Sequence, residues 1–165
     1  MASMREIKRR RTSIQSTQQI TKAMKLVSTV KLQRAKGRAE KSKTYFRCMY
    51  DTVVSMLSKA GEINHPYLKP GDSPRKAVIL ITANRGLAGG YNSNIVKLVK
   101  NNGWNKEDLI IYPVGSKGRD AFGRMGYEIG PDYSAMIEEP LYADAMEISN
   151  TVLDDFASGK IGEIY

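Results

Sequence analysis

Few residues of this sequence have the types and spacing that catalysis or metal binding requires. Cysteine and histidine occur once each, as Cys48 and His65. One thiol forms neither an internal disulfide nor a four-thiolate metal site, and a single imidazole leaves no room for most zinc chemistry or for the ordinary nucleophile–histidine triads. His65 stands before a proline in a stretch typical of a solvated turn, and Glu138 and Glu139 precede Pro140 in what reads as an exposed loop. We therefore predict no catalytic residue, no metal site and no bound cofactor.

A glycine-rich segment, residues 84–90 (Asn-Arg-Gly-Leu-Ala-Gly-Gly), follows one predicted strand and precedes a predicted helix. Phosphate-binding loops occupy this position in α/β folds, but the Rossmann fingerprint has glycines at its first, third and sixth places. Here they fall at the first, fourth and fifth places, and neither this segment nor residues 115–118 contains the Gly-Lys-Ser/Thr of a P-loop. The spacing of this segment, called the glycine loop below, favours a tight turn near a partner over a nucleotide site.

Positive charge is concentrated in the first third of the chain. The 165 residues carry 26 Lys and Arg against 17 Asp and Glu, a net charge of +9. Residues 1–47 hold 14 basic and two acidic side chains, whereas residues 48–165 hold 12 basic and 15 acidic ones. This asymmetry indicates an arm that contacts nucleic acid, a membrane surface or an acidic protein, with a merely solvated helix face as the alternative. The longest apolar run, residues 77–81, is far below the roughly 20 residues that cross a bilayer, so we expect no membrane insertion and a soluble, intracellular chain.

The element that carries this charge is a predicted helix over residues 1–60. From Ser3 to about Ala60 the chain has no proline and a single glycine, Gly37. Apolar residues recur three and four positions apart and form a narrow row, called the apolar seam: Ile20, Met24, Val27, Phe46, Met49, Val53 and Met56. Such a row is typical of one half of a coiled coil. Burying its seven side chains against a partner helix would contribute on the order of 10–20 kcal/mol, so we expect the helix to need that partner.

The remaining chain reads as a linker, residues 61–74, and a Rossmann-like α/β domain, residues 75–165, which looks incomplete. We predict a fully buried strand over residues 76–82, a second strand over 109–114, helices over 92–101, 115–122 and 143–157, and the approach to another strand over 160–165. Alternating strands and helices imply a parallel sheet with right-handed crossovers. The residues expected to face the core are Ile95, Val96, Leu98 and Val99 in the second helix of the chain, and Ala145, Ile148, Val152, Leu153 and Phe156 in the last one.

Several of these segments resemble the gamma-subunit family of F-type ATP synthases, bacterial type. They are residues 5–10, 13–27 (with Thr-Gln-Gln-Ile-Thr-Lys-Ala-Met at 17–24) and 31–35, and residues 84–92, which match the family's Asp-Arg-Gly-Leu-Cys-Gly-Gly-x-Asn loop. Residues 65–68 and 115–118 are also similar to bacterial members. Asn84 and Ala88 stand where the family often has Asp and Cys, so no thiol chemistry carries over. The family's carboxyl-terminal helix has no counterpart here, so we expect a truncated chain.

The resemblance implies a central rotor-stalk subunit that couples proton flow to ATP synthesis or hydrolysis by rotation and carries no catalytic residue of its own. Its implied partners are three alpha and three beta subunits, an epsilon subunit and a membrane ring of c subunits, with the chain peripheral to the cytoplasmic face of a bacterial cell membrane. The residues implied to contact the acidic catch loop of a beta subunit are Lys22, Met24, Lys25, Arg85, Gly86, Leu87 and Ala88.

Two other classes compete with this interpretation. A basic nucleic-acid-binding module with a Rossmann-like domain would explain the charge of the arm, but it leaves the apolar seam and the glycine loop without a role. The first aromatic residue of the arm is Tyr45, so its basic residues are not interleaved with stacking rings. A small Rossmann enzyme fits less well, because the fingerprint fails and no acid–base pair is visible.

Overall fold

The computed structural model describes residues 3–61, 63–69 and 71–165. The chain divides into two compact units, Met1–Ile63 and Asn64–Tyr165. Residues 1 and 2 of the predicted shaft and residues 62 and 70 of the predicted linker lie outside the described residues.

The first unit is dominated by one helix, α1 (Met4–Lys59), of 56 residues, which confirms the predicted long helix. At 1.5 Å per residue its length is about 84 Å. The side chain of Ser3 caps its start by accepting a hydrogen bond from the Arg5 amide at 3.4 Å. Threonine and serine hydroxyls along α1 donate to carbonyls three or four residues earlier, as Thr21 Oγ1 does to Thr17 O at 2.8 Å. The helix satisfies these groups by itself, and none of its described residues is buried.

The second unit is built on a four-stranded sheet of β1 (Lys76–Ile81), β2 (Leu109–Val114), β3 (Glu128–Ile129) and β4 (Glu163–Ile164). The strands lie in the order β3-β2-β1-β4, and every pairing is parallel. In β1, Lys76 lies opposite Leu109 of β2 and Glu163 of β4. The parallel sheet predicted from alternating strands and helices is therefore confirmed.

Helices cover both faces of this sheet: α2 (Tyr91–Lys100), α3 (Ser116–Arg124) and α4 (Tyr142–Ala157). The described part of this unit also contains short 3-10 helices at Pro66–Leu68, Lys106–Asp108 and Ser134–Ile137. On one face, α2 and α3 contribute to a core of Val78, Leu80, Val99, Leu109, Ile111 and Phe122. On the other face, α4 contributes to a core of Ala77, Ile110, Tyr112, Tyr133, Val152 and Ile161. Because β2 lies between the two cores, its first five residues are all buried.

The structure corrects two expectations at the edge of the sheet. Leu98, predicted to face the core, is 67% exposed, because α2 buries Val99 and half-buries Ile95 and Val96 on a different side of the helix. The strand predicted as fully buried over residues 76–82 is exposed at Ile81, which is 57% exposed, although Thr82 next to it is buried. In the described chain, β4 pairs with β1 at Lys76 and Ala77, and the Ile79 amide donates to Tyr165 O at 2.8 Å.

Two further corrections concern α4 and β3. Ala145, predicted on the buried face of α4, is exposed, and the burial of this helix is concentrated at Val152, with Ile148 and Phe156 packed against the same core. The strand β3 was not predicted, because two residues are too few to show a period of two.

One polar cluster is built into the core beside α4. Tyr112 is fully buried, and its hydroxyl donates a hydrogen bond to Asp155, which also accepts one from Lys160 Nζ at 2.8 Å. Burial, reinforced by this hydrogen bond, raises the pKa of Tyr112. Burial alone would raise the pKa of Asp155, but the hydrogen bonds from Lys160 and Tyr112 outweigh it and lower that pKa below its ordinary value.

The substitution Asp155→Ala should destabilise the second unit by about 1–3 kcal/mol near neutral pH, because it leaves a buried hydroxyl without an acceptor. Asp155→Asn keeps an oxygen acceptor and should lose less. The carboxylate's lowered native pKa stabilises the fold above its unfolded pKa, and this contribution disappears as the pH falls through the native value. The difference between the wild type and Asp155→Ala should therefore shrink from about pH 7 to about pH 2. Urea unfolding followed by the fluorescence of the single tryptophan, Trp104, measures it; a difference independent of pH would contradict the assignment.

Candidate functional site

The glycine loop leaves the sheet at the carboxyl end of β1, where Thr82 fixes its point of departure. Thr82 is 1% exposed, and its Oγ1 donates to Gly115 O at 3.0 Å and accepts from the Gly118 amide at 2.8 Å. Gly115 has φ +140°, and a Cβ there would lie 2.0 Å from Thr82 O. The β2–α3 turn can approach Thr82 this closely only because it has glycine at that position.

The first residue of the loop, Asn84, ties two other segments together through its side chain. Its Nδ2 donates to Ser134 O at 2.7 Å, and its Oδ1 accepts from the Ser116 amide at 2.8 Å. Ser116 Oγ in turn donates to Asn84 O at 3.1 Å. On the other side, the Asn92 side chain accepts from the Ala83 amide at 2.9 Å. The base of the loop is thus held from β2–α3, from the 3-10 helix Ser134–Ile137 and from α2.

The Ser134 end of this network is held by Asp132. One carboxylate oxygen of Asp132 accepts from the Ser134 amide at 2.9 Å, and the other accepts from Arg119 Nη1 at 2.6 Å. Burial would raise the pKa of Asp132, but the hydrogen bonds from Ser134 and Arg119 lower it below its ordinary value. The carboxylate is therefore ionised near neutral pH and orients the segment that receives Asn84.

The tip of the loop, Arg85, Gly86, Leu87 and Ala88, is exposed throughout. Leu87 is 93% exposed and has φ +65°. Arg85 Nη2 lies 3.1 Å from Glu138 Oε1, and the Tyr91 amide donates to Ala88 O at 3.3 Å. A fixed base therefore presents a tip with no buried side chain, an arrangement suited to contact with another molecule.

The other predicted contact residues, Lys22, Met24 and Lys25, lie on α1 in the first unit, and all three are exposed. At about 100° per residue, Met24 and the rest of the apolar seam fall within a sector of about 100° on one side of the helix. Lys22 and Lys25 point away from the centre of that sector. The seam residues remain between 43% (Val53) and 60% (Phe46) exposed within the described chain. Their pairing with another helix stays a prediction.

The described residues contain no group of three His, Cys, Asp or Glu side chains that could hold a metal ion. Cys48 is exposed on α1, and His65 caps the 3-10 helix Pro66–Leu68, its Nδ1 accepting from the Tyr67 amide at 3.2 Å. Neither residue belongs to the hydrogen-bond network that holds the glycine loop.

Sequence reasoning missed the residues that support the loop. The sequence places Glu138 only in an exposed loop, yet in the structure it pairs with Arg85, 53 positions away, and Asn84 contacts Ser134, 50 positions away. No local pattern signals contacts over such distances. The one available signal was the occurrence of polar side chains directly after a buried strand.

Comparison with known proteins finds similarity in the same segments. The profile of the family described as ATP synthase matches residues 3–165. The chain belongs to the ATP synthase gamma-chain family. The match includes both α1 and the glycine loop, which hold most of the residues that carry the resemblance.

Three members of the family show how far the similarity extends. The ATP synthase gamma chain of Lachnoclostridium phytofermentans is 62% identical over 165 residues, which are 100% of this chain and 57% of that protein. That of Alkaliphilus metalliredigens is 38% identical over 162 residues, 98% of this chain and 56% of the relative. A sodium ion specific ATP synthase gamma chain of Acetobacterium woodii is 36% identical over 163 residues, 99% and 54% of the two chains. The chain thus spans somewhat more than half the length of these relatives.

Removing the Asn84 side chain should loosen the glycine loop without unfolding the sheet. Asn84→Ala loses both side-chain hydrogen bonds and leaves part-buried partners unpaired, at a cost of about 1–3 kcal/mol. Asn84→Asp keeps an acceptor for the Ser116 amide but has no donor for Ser134 O, so it should lie between the alanine variant and the wild type. Chemical unfolding and amide exchange of residues 83–92 measure both effects. Wild-type exchange in the alanine variant would contradict the role given to Asn84.

Proposed function

We propose that this chain is part of the central rotor stalk of an ATP synthase, the subunit that couples proton flow through a membrane ring to ATP synthesis and hydrolysis by rotation. The observation that carries the proposal is α1, a 56-residue helix with no buried residue. Its apolar seam is exposed within its own compact unit, which supports a role in which the helix packs against other chains or another segment. Membership of the gamma-chain family supports the same role.

The surface of α1 suits a shaft. Apolar side chains of the seam occupy one side, where a partner helix would bury them. Basic side chains cover much of the remainder, and only two ion pairs lie within the described helix, Lys36 with Glu40 and Arg47 with Asp51. Both pairs are exposed, so most of the positive charge is available to attract acidic surfaces over several ångströms. Such attraction guides orientation without fixing a permanent contact.

The partners in this proposal are a ring of three alpha and three beta subunits, an epsilon subunit and the membrane ring of c subunits. The chain would lie peripherally on the cytoplasmic face of a bacterial cell membrane. In the described residues, no helix combines the length and apolar character needed to cross a membrane. The chain contributes no catalytic residue or cofactor site in this proposal; it acts by imposing an orientation on the alpha and beta subunits.

The contact with a beta subunit is proposed at two places: Lys22, Met24 and Lys25 on α1, and the loop tip Arg85–Ala88. The two lysines point away from the centre of the seam, so they remain available when the seam is covered. Met24 belongs to the seam and would pack against the partner helix. Neither the family nor its named relatives support the alternative of a nucleic-acid-binding module.

Reversing the charge of Lys22 or Lys25 in the full-length subunit should impair coupling more than folding. Lys22→Glu and Lys25→Glu place a negative charge against the proposed acidic catch loop, so ATP-driven proton pumping per ATP hydrolysed should fall several-fold. As exposed substitutions, they should change the free energy of unfolding by no more than about 0.5 kcal/mol. Pumping is measured in vesicles carrying the assembled complex, with hydrolysis measured in parallel.

Lys43→Glu is the matched control, because Lys43 lies on the same side of α1 as Lys25, outside residues 20–27. It makes the same charge change and should leave coupling near the wild-type value. Equal loss of coupling in all three variants, or a loss that follows the loss of stability, would contradict the assigned contact.

A further inference from the structure

Leu87 combines two features that no contact among the described residues explains. Its side chain is 93% exposed, and it is the one non-glycine residue with positive φ among the described residues. The left-handed conformation costs an L-residue roughly 1–2 kcal/mol. Gly86, Gly89 and Gly90 are its close neighbours, so the loop had residues suited to that conformation nearby. A leucine held there in water stabilises neither the backbone nor the core.

The surrounding structure holds this conformation in place. The glycine loop begins at Asn84, which Ser116 and Ser134 hold, and near its other end the Ala88 carbonyl accepts from the Tyr91 amide. Backbone strain that the neighbouring contacts maintain is characteristic of residues that act on another molecule. The Leu87 side chain is thus exposed at the tip of a loop whose base is held in place.

Gly86 is unusual in a complementary way. A Cβ added to it would meet nothing within 4 Å, and its φ lies outside the left-handed region. Gly118 shows the opposite case, since a Cβ there would lie 2.6 Å from the Leu80 side chain. Neither packing nor backbone conformation within the described chain requires glycine at 86. A glycine in this setting favours the close approach of a second backbone.

We propose that Leu87 is the apolar anchor of the contact made by the glycine loop, and that Gly86 lets the partner's backbone lie directly against it. The partner is a protein surface with an apolar socket for Leu87 and an acidic side chain at its rim. The acidic rim is inferred from Arg85, whose side chain is 83% exposed. Its pair with Glu138 uses one of its five N–H donors, so the other donors can bind a carboxylate of the partner. This inference rests on the proposed function, in which that surface belongs to the beta subunit.

The test uses the full-length subunit assembled with alpha and beta subunits, and follows its dissociation from the complex. Leu87→Ala should accelerate dissociation about tenfold or more, the effect of withdrawing a buried leucine. Gly86→Ala should accelerate it several-fold, because the added methyl separates the two backbones. The Leu87→Ala effect should persist at high salt, whereas that of Arg85→Gln should diminish as screening increases.

Two variants separate binding from folding. Gly123→Ala is the matched control, since a Cβ at Gly123 in α3 also meets nothing within 4 Å, and it should dissociate as the wild type does. Leu87→Gly relieves the left-handed leucine, so it should bind as weakly as Leu87→Ala while its melting temperature stays at or above the wild-type value.

The outcomes distinguish the two levels of the proposal. If the wild-type subunit does not assemble with alpha and beta subunits, the proposed function fails and this inference fails with it. If it assembles, and Leu87→Ala and Gly86→Ala dissociate as slowly as Gly123→Ala, the anchor is wrong and the proposed function stands. A melting temperature of Leu87→Gly that falls together with its binding would also overturn the anchor.

Discussion

The exposed apolar seam of α1 is the constraint on which the rest of the account depends. A single helix in water gains little from its backbone hydrogen bonds, and most helix stability in proteins comes from packing one face. Here, α1 buries no residue, and seam side chains such as Phe46 and Ile20 are more than half exposed. We therefore expect a helix of this length to pack its seam against a surface supplied from outside its own unit. The other sides of α1 would stay in water when the seam is covered, and charged side chains suit such an exposed surface.

The second unit follows a different physical logic. Its sheet is covered on both faces, so β2 is buried and the loops at its carboxyl edge rest on a rigid support. The side-chain hydrogen bonds of Thr82 and Asn84 hold the base of the glycine loop, whereas Leu87 at its tip is exposed to solvent. A rigid base with an exposed tip is the arrangement expected of a loop that binds another molecule. Because the folded protein already orders the loop, binding costs little further conformational entropy. The two units thus each present apolar groups that their own folds leave uncovered.

The sequence specified the elements well and the contacts between them poorly. The long helix follows from the scarcity of proline and glycine, and β2 follows from a continuous apolar run, both of which are local signals. The two-residue β3 carries no period to detect, and the exposure of Leu98 depends on which neighbours cover the sheet edge. The link from Asn84 to Ser134 and the left-handed conformation of Leu87 arise only after the sheet has formed. For this reason the glycine loop was predicted as a contact site, but the way it is held was not.

Amide hydrogen exchange on the 165-residue chain alone tests the central claim most directly, because it reports α1 and the sheet in one experiment. If α1 depends on an external partner, its amides should exchange fast along the whole helix. The amides of β1 and β2 should exchange slowly, because they are exposed only when the whole second unit unfolds. Mass spectrometry of peptides from residues 10–59 and 76–114 resolves the two regions, and sedimentation in parallel verifies that the chain is monomeric. Fast exchange in α1 together with slow exchange in the sheet is the predicted result. Slow exchange along α1 in a monomeric chain, equal to that of the sheet, would contradict the claim that the seam requires a partner.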